Sequence, residues 1–539
     1  MRRPLLRPLL ALLALLAVAP AGASQRLAEG RIAIAHAVPP SGMDPHSYGS
    51  ISDLSVLYNV YEALFHRDGR NRLVPGLATA WHAADETTWE VTLRQGVVFH
   101  DGTPFAAEDV VASYARVPLL RTSLRSPAIK LQAIASIELL GPHALRIRTN
   151  RPAPELPDEL ATIAVLRRAA LSVLEPEPFN ALREAIGTGP FRATAYTPEA
   201  ALELARHEAW WGPTPPWREA SLRFIPKDAV RAAALLAGDI DVMERVAPAD
   251  MPVLAARPGI ALSRAPGLNT VYVALSLARP EAGPYTAAAD GTPLAHNPLR
   301  DVRVRRALAL AVNRAALTER LLAGAAVPAS QLAAPGTPDF QADILPPAQD
   351  IPAARALLAE AGLGAGLQLT LLGPTDRFPN ITQVAEALAQ NWSRIGVATR
   401  VETMPWNSMA RRAGRGEFAG LLFGCCAAVP GVLTVTRNLL VTHDAGRGLG
   451  ASNYGRYADP VLDRTVLAGM ASFDPAIRFA AAGAAARIVA EEVPLIPLYH
   501  PLNVWAARAP LEYEPRLDSY TPVRGAQAQA PGGGADARR

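Results

Sequence analysis

Apolar residues recur along this chain with two periods, and the switches between them divide it into strands and helices. Alternation at 89–93, and short apolar runs bounded by turn residues at 31–36, 222–225, 241–243, 269–275, 367–372, 398–402 and 418–424, predict strands. Segments 135–140 and 144–147 flank Gly141-Pro142 as a hairpin. Helical spacing appears at 52–65, through Leu54, Leu57, Val60, Tyr61 and Leu64, and again at 108–114. Further helices are expected at 228–237 and 351–361, closed by Gly238 and Gly362, and at 381–395 and 480–489. From Asp301 onward, Val304, Leu308, Leu310, Val312 and Leu317 mark one buried helical side. The strand–helix–strand order over 367–402 predicts an α/β domain with parallel pairing.

The N-terminus departs from this pattern. Arg2, Arg3 and Arg7 precede an apolar run from Leu9 to Ala21 that ends in the small residues Ala21-Gly22-Ala23. This is the layout of a secretory signal peptide over 1–24, so export across the cytoplasmic membrane is expected. The full 539 residues exceed what one core accommodates, which points to two or three domains. No later apolar run approaches a membrane-spanning length, because Arg, Asp, Pro or Glu interrupts each one.

Charge and cysteine content narrow the classes of partner. Net charge is +4, from 53 basic and 49 acidic residues, and loss of Arg2, Arg3 and Arg7 lowers it to +1. The basic residues are scattered, without a nucleic-acid footprint. Cys425 and Cys426 are adjacent, so they cannot staple distant segments. With His443 they are a candidate soft-metal set, but the second pair of a structural zinc site is missing. The chain has no Gly-x-Ser-x-Gly elbow and no His-Glu-x-x-His pair, so an exported hydrolase has no motif behind it, and no enzyme activity and no cofactor are expected. His100-Asp101-Gly102 is first a turn signal, and Trp81 and Trp89 are core anchors.

Several blocks together resemble a known family. They are Tyr58-Asn-Val-Tyr-Glu-Ala-Leu-Phe65, Leu73-Val-Pro-Gly-Leu-Ala-Thr-Ala-Trp81, the run from Trp89 to Phe105 with Glu108-Asp-Val110, Gly187-Thr-Gly-Pro-Phe191, Asp301-Val-Arg-Val-Arg-Arg-Ala-Leu308 and Pro494-Leu-Ile-Pro-Leu-Tyr499. In this order they are similar to the bacterial extracellular solute-binding proteins of family 5, the dipeptide, oligopeptide and nickel type. The resemblance implies an α/β, two-lobed periplasmic binding protein fold (type II, cluster C) with an additional small α/β domain. It also implies a monomeric receptor that closes on a small-molecule or peptide-like ligand and delivers it to an inner-membrane ABC permease. A periplasmic ligand sensor or chaperone on the same fold is the alternative. Carried onto this chain, the first lobe combines 25–55, 181–270 and 481–526, the inserted domain 56–180 and the second lobe 271–480, with a disordered tail at 527–539.

The resemblance further implies that ligand contacts come from the loop 41–49, with His46 and Tyr48, and from the segment after the second-lobe strand, with Cys425. Trp406, Asn453 and Tyr454 complete the expected lining, and Arg437 offers a forked donor for a carboxylate. One departure bears on the ligand. Peptide-binding relatives follow the second-lobe strand with Gly-Trp and then an acid for the peptide ammonium, whereas this chain has Gly424-Cys425-Cys426-Ala427-Ala428. A buried ammonium without a carboxylate faces a large desolvation cost. A less cationic solute, such as a modified peptide or a small organic acid, is therefore expected unless Asp44, Asp444 or another acid reaches the site.

Overall fold

The computed structural model describes residues 21–120, 127–425 and 431–528. Most of the expected signal peptide, the residues Cys426, Ala427 and Ala428, and the tail from 529 lie outside the described residues.

Two parallel clusters of strands form the frame. In the first lobe, Arg31–His36 pairs in parallel with both Glu219–Phe224 and Val242–Met243. In the second, Leu367–Pro374 pairs in parallel with Val397–Met404 and with Gly420–Cys425. The helix Ile381–Ser393 makes the crossover expected from sequence, burying Val384, Leu388 and Trp392 on the sheet. Gly238, at φ +83°, and Gly362, at φ +77°, end their helices in the left-handed conformation that glycine adopts without a steric penalty.

One strand belongs to both lobes. Leu495–Arg508 pairs through its first half with Thr270–Leu275 of the second lobe, and through its second half with Ile260–Pro266 of the first. The lobes therefore share one continuous sheet path. The other crossing runs beside it, where the Gly267 N–H donates to the Pro501 carbonyl at 2.7 Å. A Cβ on Gly267 would stand 2.8 Å from that oxygen, so the two crossings lie this close only with glycine there.

The structure moves the boundaries of three expected segments. The return to the first lobe begins near residue 502, not 481, because Ala485, Val489 and Leu495 belong to the second-lobe core. The inserted domain is smaller than 56–180: its core runs from Leu64 to Val165 around a four-stranded antiparallel sheet, while Val60, Tyr61 and Phe179 are buried in the first lobe. Ala526–Ala528 pairs with Leu511–Tyr513, so order extends past 527. The helix expected over 52–65 ends at Leu57. The apolar residues beyond it are buried because they bridge two cores, not because they continue a helix.

Among the described residues no helix is long and apolar enough to cross a membrane.

Candidate functional site

In open α/β sheets, binding groups gather beyond the carboxyl ends of parallel strands. In the second lobe those ends are Pro374, Met404 and Cys425. The loops after them are tied together: the Thr375 N–H donates to the Met404 carbonyl at 3.0 Å, and the Trp406 N–H to Asp376 Oδ1 at 3.0 Å. Pro405 is the N-cap of the helix Trp406–Gly414, so Trp406 is its first residue.

Trp406 lies flat on Phe423, with ring centroids 4.2 Å apart and planes within 10°. Its other neighbour is Arg377, whose guanidinium carbon stands 5.5 Å from the indole centroid. Arg377 is exposed, and no carboxylate pairs with it among the described residues. Phe378 packs against Gly424, where a Cβ would lie 2.6 Å from the phenyl ring. The mouth of this lobe is thus an aromatic shelf ending in an uncommitted cation. Arg377 and Phe378 escaped the sequence reading, because neither sits in a recognisable motif; the signal was their place just after a parallel strand.

Beside this shelf, Cys425 is half-buried, pairs through its backbone with Thr270 next to the hinge, and is not a free thiol. His443 spends Nδ1 on the Gly450 carbonyl at 3.1 Å, and no group of three metal-binding side chains occurs among the described residues.

The remaining expected contacts are carried by other elements. His46 is buried with its Nε2 2.8 Å from the Ala164 carbonyl, and burial pushes its pKa down to about 4. Its neighbour Asp44 is not available for a ligand ammonium. It binds both terminal nitrogens of Arg116, at 2.9 and 2.7 Å, with both side chains buried, and pins the loop to the inserted domain. Burial alone would raise the Asp44 pKa, but hydrogen bonds from Arg116 outweigh it and hold the carboxyl below its ordinary value. Tyr48 is half-buried against Gly42.

Asn453 is buried and saturated. Its Nδ2 donates to the carbonyls of Val441 at 3.0 Å and Tyr457 at 2.8 Å, and its Oδ1 accepts from the Tyr457 N–H at 3.1 Å. It builds a loop rather than offering its amide outward. Tyr454, in that loop, lines a cavity at the opposite end of the second-lobe sheet.

Arg437 sits where the second lobe meets the inserted domain. It donates to Asn438 Oδ1 at 3.2 and 3.1 Å, and its charge acts on Glu159 of the inserted domain. Burial, reinforced by Glu155, pushes the Glu159 carboxyl up to about 7, against the pull of Arg151, Lys130 and Arg437. Nearby, Phe473 of the second lobe packs on Trp89 of the inserted domain at 5.6 Å.

Two lobes sharing a continuous strand, with an aromatic shelf at the carboxyl ends of parallel strands, have the fold of a periplasmic binding protein. The match of residues 72–446 to the model for bacterial extracellular solute-binding proteins, family 5, shows that this chain belongs to that family. It is 27% identical over 502 residues to di/tripeptide-binding protein 1 of Pseudomonas aeruginosa, covering 86% of this chain and 87% of that one. Its fold is similar to that of the unliganded open form of the periplasmic murein tripeptide-binding protein MppA, with a TM-score of 0.79 at 22% identity and coverage of 93% and 97%. The peptide complex of DppA from Helicobacter pylori matches with a TM-score of 0.70 at 22% identity, over 93% and 98%. The chain is an extracytoplasmic solute receptor.

Proposed function

We propose that this protein captures a small peptide-like or other organic solute between its lobes and hands the closed form to the permease of an ABC importer, acting as a monomer. The observation that carries this reading is the shared strand Leu495–Arg508 beside the Gly267–Pro501 contact. Two crossings this close form an axis about which rigid lobes can swing. A ligand shifts that equilibrium only by binding the closed form more tightly than the open one.

The mouth residues favour a ligand with an apolar or flat body and an anionic end, received by Trp406, Phe423 and Arg377. Asp44, the acid of the first-lobe loop, is committed to Arg116 and is not free to meet an ammonium. The segment 426–430 contains no acid. A ligand without a free α-ammonium, such as an N-blocked peptide or an organic acid, fits these groups. The di/tripeptide-binding relative supports the peptide-like part of the reading.

The test begins with mass spectrometry of ligand released from natively purified protein. Calorimetry then compares that compound with free and N-acetylated dipeptides, and X-ray scattering follows the shape at saturation. We expect the N-acetylated form to bind at least as tightly as the free one, and the radius of gyration to shrink. Tighter binding of free dipeptides would remove the argument from the missing acid; an unchanged scattering curve with a bound ligand would remove the hinge.

A further inference from the structure

The second lobe carries a concavity that solute capture leaves unused. Strands Thr270–Leu275 and Gly420–Cys425 are antiparallel, with Thr270 opposite Cys425 at the cleft end and Leu275 opposite Gly420 at the other. A cavity of about 490 Å³ lies at the Leu275–Gly420 end, lined by Ser276, Phe418 and Ala419 just beyond the strands. Six strand residues at roughly 3.3 Å each separate it from the cleft by about 20 Å. Its volume falls within the range of small-molecule sites.

Its walls carry more positive than negative charge. Arg279, Arg415 and Arg456 line it, with Glu281 and Glu417. Glu417 is already answered, because Arg415 of the wall and Arg412 outside the lining both donate to it. Arg279 and Arg456 are exposed, and neither guanidinium has a carboxylate partner among the described residues.

The loop presenting Arg456 is built with care. The saturated Asn453 amide fixes its start and end. Gly455 lies so close to the end of strand Thr270–Leu275 that a Cβ would stand 2.3 Å from the Leu275 carbonyl, and the Leu277 N–H donates to the Gly455 carbonyl at 2.7 Å. Tyr454 and Arg456 flank that pinned glycine, and both reach the cavity. Arg456 itself is held at φ +56°, a left-handed conformation that glycine would adopt more readily. Such strain persists where surrounding structure imposes it, and it concentrates at ligand clamps.

We propose that this cavity is a second ligand site, taking a small organic di- or tricarboxylate. The guanidinium groups of Arg279 and Arg456 supply forked donors for two carboxylates, and the phenols of Tyr285 and Tyr454 supply further donors and flat walls. Occupancy leaves the hinge and the aromatic shelf untouched.

Succinate and citrate, each alone, are titrated calorimetrically into the exported chain, into the double variant Arg279→Gln/Arg456→Gly and into Arg377→Ala. Glycine at 456 accepts the backbone conformation and Arg279 is exposed, so thermal unfolding should show the double variant folded. We expect at least one acid to bind, to weaken tenfold or more in the double variant, to weaken with added salt, and to keep its affinity in Arg377→Ala. Binding that survives the double variant overturns the proposal. Loss in Arg377→Ala places the anion in the cleft and overturns it too, as does the absence of heat with both acids.

Discussion

The indole of Trp406 and the phenyl ring of Phe423 stack at 4.2 Å, one from the helix after a parallel strand and one from within the next strand of the same sheet. The pair turns the carboxyl end of the second-lobe sheet into a flat apolar surface, with Arg377 over the outer face of the indole. Trp406→Ala should weaken the cleft ligand by about tenfold or more, the loss expected for a stacked aromatic together with its buried area. Calorimetry with the released ligand measures it, and unfolding of the same variant should show a loss of about 1–2 kcal/mol, because the stack on Phe423 goes with the indole.

Arg377→Ala separates charge from stacking. Because no carboxylate holds Arg377, its removal should leave the melting temperature nearly unchanged while lowering affinity for an anionic ligand. Equal affinity for that ligand in wild type and variant would exclude Arg377 from the site.

The buried pair Asp44–Arg116 joins the first lobe to the inserted domain. Removing one partner leaves a buried charge unanswered, so Arg116→Met should cost roughly 3–5 kcal/mol of unfolding free energy. Asp44→Leu/Arg116→Met should recover much of that loss, which a denaturant titration of the three variants resolves.

Asn453→Ala tests whether the amide builds a loop or touches the cleft ligand. Loss of its backbone hydrogen bonds leaves buried carbonyls and an N–H unpaired, at a cost of about 2–3 kcal/mol. Cleft affinity should be unchanged.

Acid should destabilise the fold before the carboxylates titrate. Burial pushes His46, His100 and His500 each down to about 4. In the unfolded chain a histidine takes up its proton near pH 6.5, so below that pH the unfolded state binds protons that the folded state refuses. Stability is fully present above about 6.5 and falls progressively toward pH 4. Glu159, pushed up to about 7, acts in the opposite sense: its folded form holds a proton that the unfolded chain releases near its ordinary value, so it lowers stability as pH rises from about 4.5 to 7. Replacing His500 with Gln should flatten the acid limb, and Glu159→Gln should raise stability at pH 8; denaturant unfolding across pH checks both.

Periodicity located strands and helices wherever an element packs on one face, as in the crossover from Leu367–Pro374 through Ile381–Ser393 to Val397–Met404. It failed at 58–65, where every side is buried between two cores and apolar spacing no longer reports a period. Trp406 was visible as an aromatic after a predicted strand. Arg377 was not, because an exposed arginine in a loop has no sequence signature; its meaning comes from the indole beneath it. Asn453 looked like a ligand-binding amide, and only the loop closing around it showed that backbone groups use up its donors.

The order of strands, helices and family blocks was written in the chain itself, because local periodicity and turn chemistry depend on neighbours within a few residues. The shared strand Leu495–Arg508, the commitment of Asp44 to Arg116 and the placing of Tyr454 at the pole opposite the cleft were decided in three dimensions. Each depends on residues far apart in sequence, and no local pattern records which distant group a side chain will meet.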